Sequence, residues 1–185
     1  MNEQILYILV GTPGSGKSTY VKNNLNNVRA YEADMYFMRT GTYQFDRNNL
    51  GHAHKWCQTQ VMKELNRGNS CVVANTNLTP FELKPYFNMV RDCRENNLNV
   101  KIEIIECKFI NINDKQEPSL FNSIHFDNYS DEEKHDIAKN MLARNDITKR
   151  IKFYSINQDI INNIKLHTLY LNNDTYHTKL ETFKI

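Results

Sequence analysis

Three polar side chains in the first part of the chain could act together on a phosphate. Lys17 and Ser18 close the run Gly11-Thr12-Pro13-Gly14-Ser15-Gly16-Lys17-Ser18-Thr19, and Asp34 follows further on. The spacing G-x-x-x-x-G-K-S/T is met by Gly11, Gly16, Lys17 and Ser18, which is the pattern of a phosphate-binding P-loop. Its glycines let the backbone curl with N–H groups pointing inward, where a side chain would block the phosphate. Lys17 can reach β- and γ-phosphates, and the Ser18 hydroxyl can bind Mg²⁺. A carboxylate such as Asp34 can take the proton of an acceptor hydroxyl and aim its oxygen in line with a γ-phosphate. The bland alternatives are a glycine-rich turn for the loop and a helix cap or solvated residue for Asp34.

The elements around these residues suit that chemistry. Residues 5–10 are a near-continuous apolar run, as in a central parallel strand buried on both faces. A helix is predicted over 17–24, so its free N–H groups and dipole would face the loop. Residues 28–32 read as a second strand, which puts Asp34 just past a strand end, at the edge where open α/β sheets bind ligands. Leu50, His54, Cys57, Val61 and Leu65 recur at helical spacing, and Gly68 stops that helix. Residues 70–74 read as a third strand. Thr79-Pro80-Phe81-Glu82 is a capping box that opens a helix to about residue 95. A fourth strand is expected over 100–109, and Ser130 to Glu133 form a second capping box for a helix through about Arg144. Residues 111–129 read as loop, 146–154 as a further helix or an extension, 165–171 as the last strand, and the rest as a frayed polar tail. Strands alternate with helices, which predicts an α/β fold: a parallel sheet with helices on both faces and a helical lid. The chain reads as one domain, with a nucleotide-binding core at 1–110, a loop and lid region at 111–154, and a last strand and tail at 155–185.

Other polar residues carry two readings each. Asn75, Thr76 and Asn77 end the third strand and can hold an acceptor or a metal-bound water; equally, they can be turn residues in unusual backbone geometry. His52 and His54 point to nearly opposite faces of their helix and make no metal face with Cys57; His54 falls on the apolar stripe and reads as packed. Arg144, Lys149, Arg150 and Lys152 form the densest basic cluster, suited to neutralising a transferring phosphoryl group from a lid or, alternatively, to a solvated helix end. Arg39 could bind an acceptor phosphate, and Arg91 and Arg94 lie on the helix after Asn77.

Composition excludes little. The 185 residues suffice for one domain with a real core, and the net charge of +2 neither demands nor forbids a nucleic-acid partner. The 4 cysteines show no C-x-x-C pair, which argues against structural zinc, and Cys71 and Cys107 read as reduced core residues. No apolar run approaches the roughly 18 residues of a membrane span. With no signal peptide in view, the expectation is a soluble intracellular protein, cytoplasmic or nuclear.

The motif order resembles the P-loop kinase domains grouped with polynucleotide 5′-kinases, in particular small eukaryotic and viral kinase-like ATPase domains. The residues that carry the likeness are the P-loop, Ala33-Asp34-Met35-Tyr36-Phe37, Gly41-Thr42-Tyr43-Gln44-Phe45-Asp46, Ala53-His54-Lys55-Trp56-Cys57 and Asn75-Thr76-Asn77. Ala143-Arg144-Asn145 is similar to the Arg-Asn of their lids. Relatives of this group carry an Asp where this chain has Asn75 or Ala74, and an Arg where it has Phe37. The resemblance implies ATP and Mg²⁺, phosphoryl transfer to the 5′-hydroxyl of DNA or RNA, Asp34 as base and Arg144 as lid cation. Two other readings stand beside it: a kinase of a small hydroxyl acceptor such as a nucleoside or sugar, and a regulatory nucleotide-binding module.

Overall fold

The computed structural model describes residues 3–111, 129–172 and 175–185. Its centre is a six-stranded sheet in the order β2-β3-β1-β4-β5-β6. The strands are β1 (Gln4–Val10), β2 (Arg29–Tyr31), β3 (Cys71–Val73), β4 (Val100–Asn111), β5 (Ile161–Asn172) and β6 (Thr175–Phe183). The helices are α1 (Lys17–Asn24), α2 (Leu50–Asn66), α3 (Pro80–Glu95), α4 (Asp131–Arg144) and α5 (Ile147–Ser155).

The first five strands run parallel. Leu6 aligns with Cys71 and Ile102, and Cys71 with Arg29, so the carboxyl ends of β1, β2 and β3 fall along one edge. That register brings the P-loop, the residues after Tyr31 and the residues after Val73 together. The unbroken apolar sequence of β1 follows from its place between β3 and β4, with Leu6, Ile8, Leu9 and Val10 fully buried. Side chains alternate across the strand. Leu6, Ile8 and Val10 pack with Cys57, Val61 and Leu65 of α2, Leu83 and Phe87 of α3, and Tyr154 of α5. Leu9 and Val72 face the other way, toward Tyr20 of α1. Helices therefore cover both faces, α1 on one and α2, α3 and α5 on the other, in the arrangement of an α/β P-loop NTPase.

Capping is where the sequence expected it. Thr79 and Glu82 cap α3 reciprocally with Pro80 in its first turn, and Ser130 and Glu133 do the same for α4. Gly68, at φ 83°, stops the turn after α2. All four cysteines are free and buried. No helix among the described residues is long and apolar enough to cross a membrane.

The C-terminal expectation is corrected. β5 starts earlier than 165, and the tail is not frayed but forms β6, antiparallel to β5 from Ile164↔Phe183 to Asn172↔Thr175. β6 lacks the apolar face that marks a strand in sequence, because it is an edge strand whose side chains are nearly all exposed. Its threonines and aromatics suit the extended backbone, and Lys179 and Glu181 blunt the open edge. The expected loop at 111–129 lies almost wholly outside the described residues.

Candidate functional site

The site is a cleft of about 1130 Å³ at the carboxyl edge of the sheet, with the P-loop as its floor. That exceeds the usual range of roughly 300–1,000 Å³ for a single small-molecule pocket, so it has room for a donor and an acceptor together.

The floor is built by β1 and α1. Gly16 sits in the left-handed region at φ 90°, ψ 15°, which turns the chain from loop into helix. A β-carbon there would also make a tight contact, 3.2 Å from Leu169 Cβ. At Gly11 a β-carbon would meet the Cys107 carbonyl at 2.6 Å. The Gly11 N–H donates to the Thr76 carbonyl at 2.9 Å, tying the loop to the end of β3. Thr12 and Ser15 are buried, whereas Pro13, Gly14, Gly16, Lys17, Ser18 and Thr19 line the cleft. Lys17 Nζ donates to the Gly11 and Thr12 carbonyls, at 2.9 Å each, so its charge is held by the loop it would otherwise share with a phosphate. Burial lowers the Lys17 pKa, and the charges of Cys107, Glu32 and Asp34 oppose that shift. Ser15 Oγ and His167 Nε2, both close to the glycines of the loop, are buried without hydrogen-bond partners among the described residues.

One wall comes from β2, β3 and the segment to α2. Asp34 lines the cleft from a 3-10 helix, Ala33–Met38, that begins at the end of β2. What fixes that helix is Asn75. Its Oδ1 accepts from the Ala33 N–H at 2.7 Å, and its Nδ2 donates to Tyr86 Oη at 3.2 Å. The Asn75 side chain, 9% exposed, is therefore engaged in positioning the residue before Asp34. Asn77, at φ 49°, donates from Nδ2 to the Leu9 carbonyl at 2.8 Å. Of the three residues, Asn75 and Thr76 line the cleft, and Asn77 is buried in the turn. Arg39 is not among the lining residues: its guanidinium lies 3.5 Å from the centre of the Tyr36 ring, and its Nε donates to the Tyr36 carbonyl.

The opposite wall and roof come from β4, β5, β6 and α4. Arg144, at the last turn of α4, lines the cleft and donates from Nη2 to Glu82 Oε1 at 2.9 Å. Glu82 Oε2 meanwhile accepts from the Thr79 N–H, so one carboxylate caps α3 and holds the arginine. The other three cations of the basic cluster do different work. Arg150 is buried and pairs with Glu106, Lys149 pairs with Asp146 three residues before it, and Lys152 is exposed. Arg91 donates to the buried Asn157 side chain and to Asp159, and Arg94 donates to the Asp159 carbonyl, all away from the cleft lining.

Several lining residues escaped the sequence reading. Glu32, one residue past β2, faces the same space as Asp34. The sequence reading had Glu32 as the last residue of the second strand, whereas β2 ends at Tyr31 and leaves it at the strand edge. His54 lines the cleft rather than the core, half-buried, and burial lowers its pKa against the opposing pull of Glu82 and Asp34. Tyr43, Phe45 and Leu50 extend the Asp34 wall, and Phe109, Leu169 and Tyr176 line the other. Leu169 lies in the strand the sequence expected over 165–171 but was given no role there, and Tyr176 belongs to β6, which was read as a tail.

Comparison with known proteins finds relatives in sequence and in fold. Over 87 residues, 44% of this chain, the sequence is 40% identical to NEDD4-binding protein 2 of Homo sapiens, of which the match spans only 5%. A crystal structure of AvrRxo1-ORF1:-ORF2 with ATP is similar in fold, with a TM-score of 0.61 and 12% identity over 95% of this chain and 57% of that one. A structure of the Pnkp1/Rnl/Hen1 RNA repair complex matches 56% of this chain and 33% of its own at 20% identity and a TM-score of 0.41. A family model described as an AAA domain matches residues 6–110, the stretch that holds the P-loop, Asp34 and Asn75 to Asn77, and the chain belongs to that family.

Proposed function

We propose that this protein transfers the γ-phosphoryl group of ATP to the 5′-hydroxyl of a polynucleotide end. The observation that carries the reading is the shared cleft: Lys17, Ser18, Asp34 and Arg144 line one space, between a phosphate-binding floor and a carboxylate wall. The loop fits a triphosphate, since a side chain at Gly11 would clash with backbone and the Lys17 ammonium is held against the loop carbonyls. No group of three or more His, Cys, Asp or Glu among the described residues could hold a metal. Ser18, which lines the cleft beside Lys17, would hold Mg²⁺. The ion would supply positive charge against the phosphates.

The chain's own residues do the rest. Lys17 moves from the Gly11 and Thr12 carbonyls to the phosphates. Asp34 accepts the proton of the acceptor hydroxyl and orients its oxygen. That oxygen bonds to the γ-phosphorus as the bond to the β–γ bridging oxygen breaks, and ADP leaves with the bridging oxygen. Arg144 exchanges Glu82 for the transferring group, whose negative charge is the stronger partner. The 5′-hydroxyl acceptor rests on the motif resemblance and on the width of the cleft beyond the P-loop.

The test uses ATP labelled at the γ-phosphate, Mg²⁺ and 5′-hydroxyl oligonucleotides of DNA and RNA. Label on the oligonucleotide is expected, and Asp34→Asn is expected to bind ATP and transfer nothing. Full turnover by Asp34→Asn would remove the base assignment. ATP binding without any labelled oligonucleotide would redirect the reading to a small hydroxyl acceptor or a regulatory nucleotide-binding module.

A further inference from the structure

The cleft wall beyond Asp34 is aromatic, and its construction explains how it stays in place. Tyr43 and Phe45 lie two residues apart, and both rings contact Phe37. Both line the cleft, and they are 40% and 45% exposed. Behind them stands Phe37, 5% exposed, from the same 3-10 helix as Asp34. Its ring lies 5.2 Å from Phe45 at 62° and 6.3 Å from Tyr43 at 77°, edge-to-face in both cases. The backbone is pinned as well. The Gln44 N–H donates to the Phe37 carbonyl at 3.1 Å, and Asp46 caps the next turn by accepting from the Asn48 N–H at 2.9 Å. Phe37 belongs to a small buried cluster with Ala33 and Ala53, whereas Tyr43 and Phe45 lie outside it on the cleft side.

We propose that Tyr43 and Phe45 form a stacking platform for the base of the 5′-terminal nucleotide of the acceptor, beside the Asp34 carboxylate. This rests on the polynucleotide reading and narrows it to recognition of the terminal base. A flat base has a π-face whatever its identity, so stacking gives affinity with little sequence preference. The rings are fixed against Phe37, and Phe37 shares a 3-10 helix with Asp34, so a stacked base has its own 5′-hydroxyl presented at a set distance from the carboxylate. Burial, and then the Asp34 charge, push the Tyr43 phenol up to about 12, which keeps it neutral and able to stack beside an anionic acceptor. An aliphatic ligand would call for an enclosed apolar tunnel. A bare sugar would leave half of this wall uncovered.

The experiment compares two DNA octamers with a fluorophore at the 3′ end, one whole and one whose 5′-terminal nucleotide lacks its base. Binding is read by anisotropy with a non-hydrolysable ATP analogue present, and transfer by labelled phosphate. The whole octamer is expected to bind about tenfold more tightly than the abasic one, within the range known for base–aromatic stacking. Phe45→Ala is expected to weaken the whole octamer by a similar factor and to leave the abasic octamer unchanged. Phe45→Trp is expected to restore the difference. Equal binding and transfer for both octamers would overturn the platform while leaving the polynucleotide reading intact. Equal loss for both octamers in Phe45→Ala would overturn it too, by showing a purely structural role. Binding of neither octamer would overturn the polynucleotide reading and the platform with it.

Discussion

Arg144 and Arg150 stand close together in the sequence, yet the fold gives them opposite circumstances. Arg150 is 3% exposed and binds Glu106 through two parallel hydrogen bonds, Nε to Oε1 at 2.9 Å and Nη2 to Oε2 at 2.8 Å. Tyr154 Oη donates to the same carboxylate at 2.7 Å, and Arg150 Nη1 donates to the Leu78 carbonyl and to Asn145 Oδ1. Arg144 has an exposed side chain and, among the described residues, one carboxylate partner, Glu82 on another helix. A buried charge held by four hydrogen bonds is an anchor. An exposed charge with one partner can leave it. The two are also connected, because Asn145, which Arg150 holds, is the residue that ends α4 immediately after Arg144. The anchored arginine thus fixes the end of the helix that carries Arg144.

Removing the anchor has the largest expected effect. Arg150→Ala strands the Glu106 carboxylate in the core, which is expected to cost about 3–5 kcal/mol of folding stability. Chemical denaturation would show it as a lower midpoint at unchanged slope. A loss below about 1 kcal/mol, the level of a surface ion pair, would erase the contrast between the two arginines.

Arg144→Ala should reverse the pattern. Its ion pair is exposed, so stability is expected to change by less than about 1 kcal/mol. Transfer to the oligonucleotide is expected to fall about 100-fold, as when one charge-stabilising donor is removed from an active site. Denaturation and turnover measured on the same preparation separate the two outcomes. Normal turnover with a stability loss like that of Arg150→Ala would make Arg144 a second structural residue and take it out of the mechanism.

This contrast also marks how far the sequence could be read. The P-loop, its flanking strand and helix, Asp34 past β2 and both capping boxes were legible because each depends on local spacing. Arg144, Lys149, Arg150 and Lys152 looked alike because what separates them is their distant partners, Glu82 for one and Glu106 for another. Glu106 itself, inside an apolar strand, gave no hint of a partner 44 residues away. Asn75 was open to two readings for the same reason: its bonds reach back to Ala33 and forward to Tyr86. β6 was missed because an edge strand with exposed side chains has no apolar period to detect.

Tyr154 gives the finest test of the anchor. Tyr154→Phe keeps the ring and removes one hydrogen bond to a charged group, with an expected cost of about 1.5 kcal/mol at neutral pH. Burial first, and then the Glu106 charge, raise the Tyr154 phenol well above the ordinary tyrosine value of 10.0. The folded protein thus keeps a proton that the unfolded chain gives up. The stabilisation linked to that proton is complete below about pH 10 and is lost as pH rises toward the folded value. Tyr20 follows the same course, its phenol pushed up to about 12 chiefly by burial, but it does so in both proteins. The stability gap between wild type and Tyr154→Phe should therefore narrow at about pH 11 relative to about pH 8. A gap that stays constant across that range would mean that the phenol ionises alike in the folded and unfolded chains. Arg150 would then hold Glu106 without its help, and the anchor would reduce to the arginine alone.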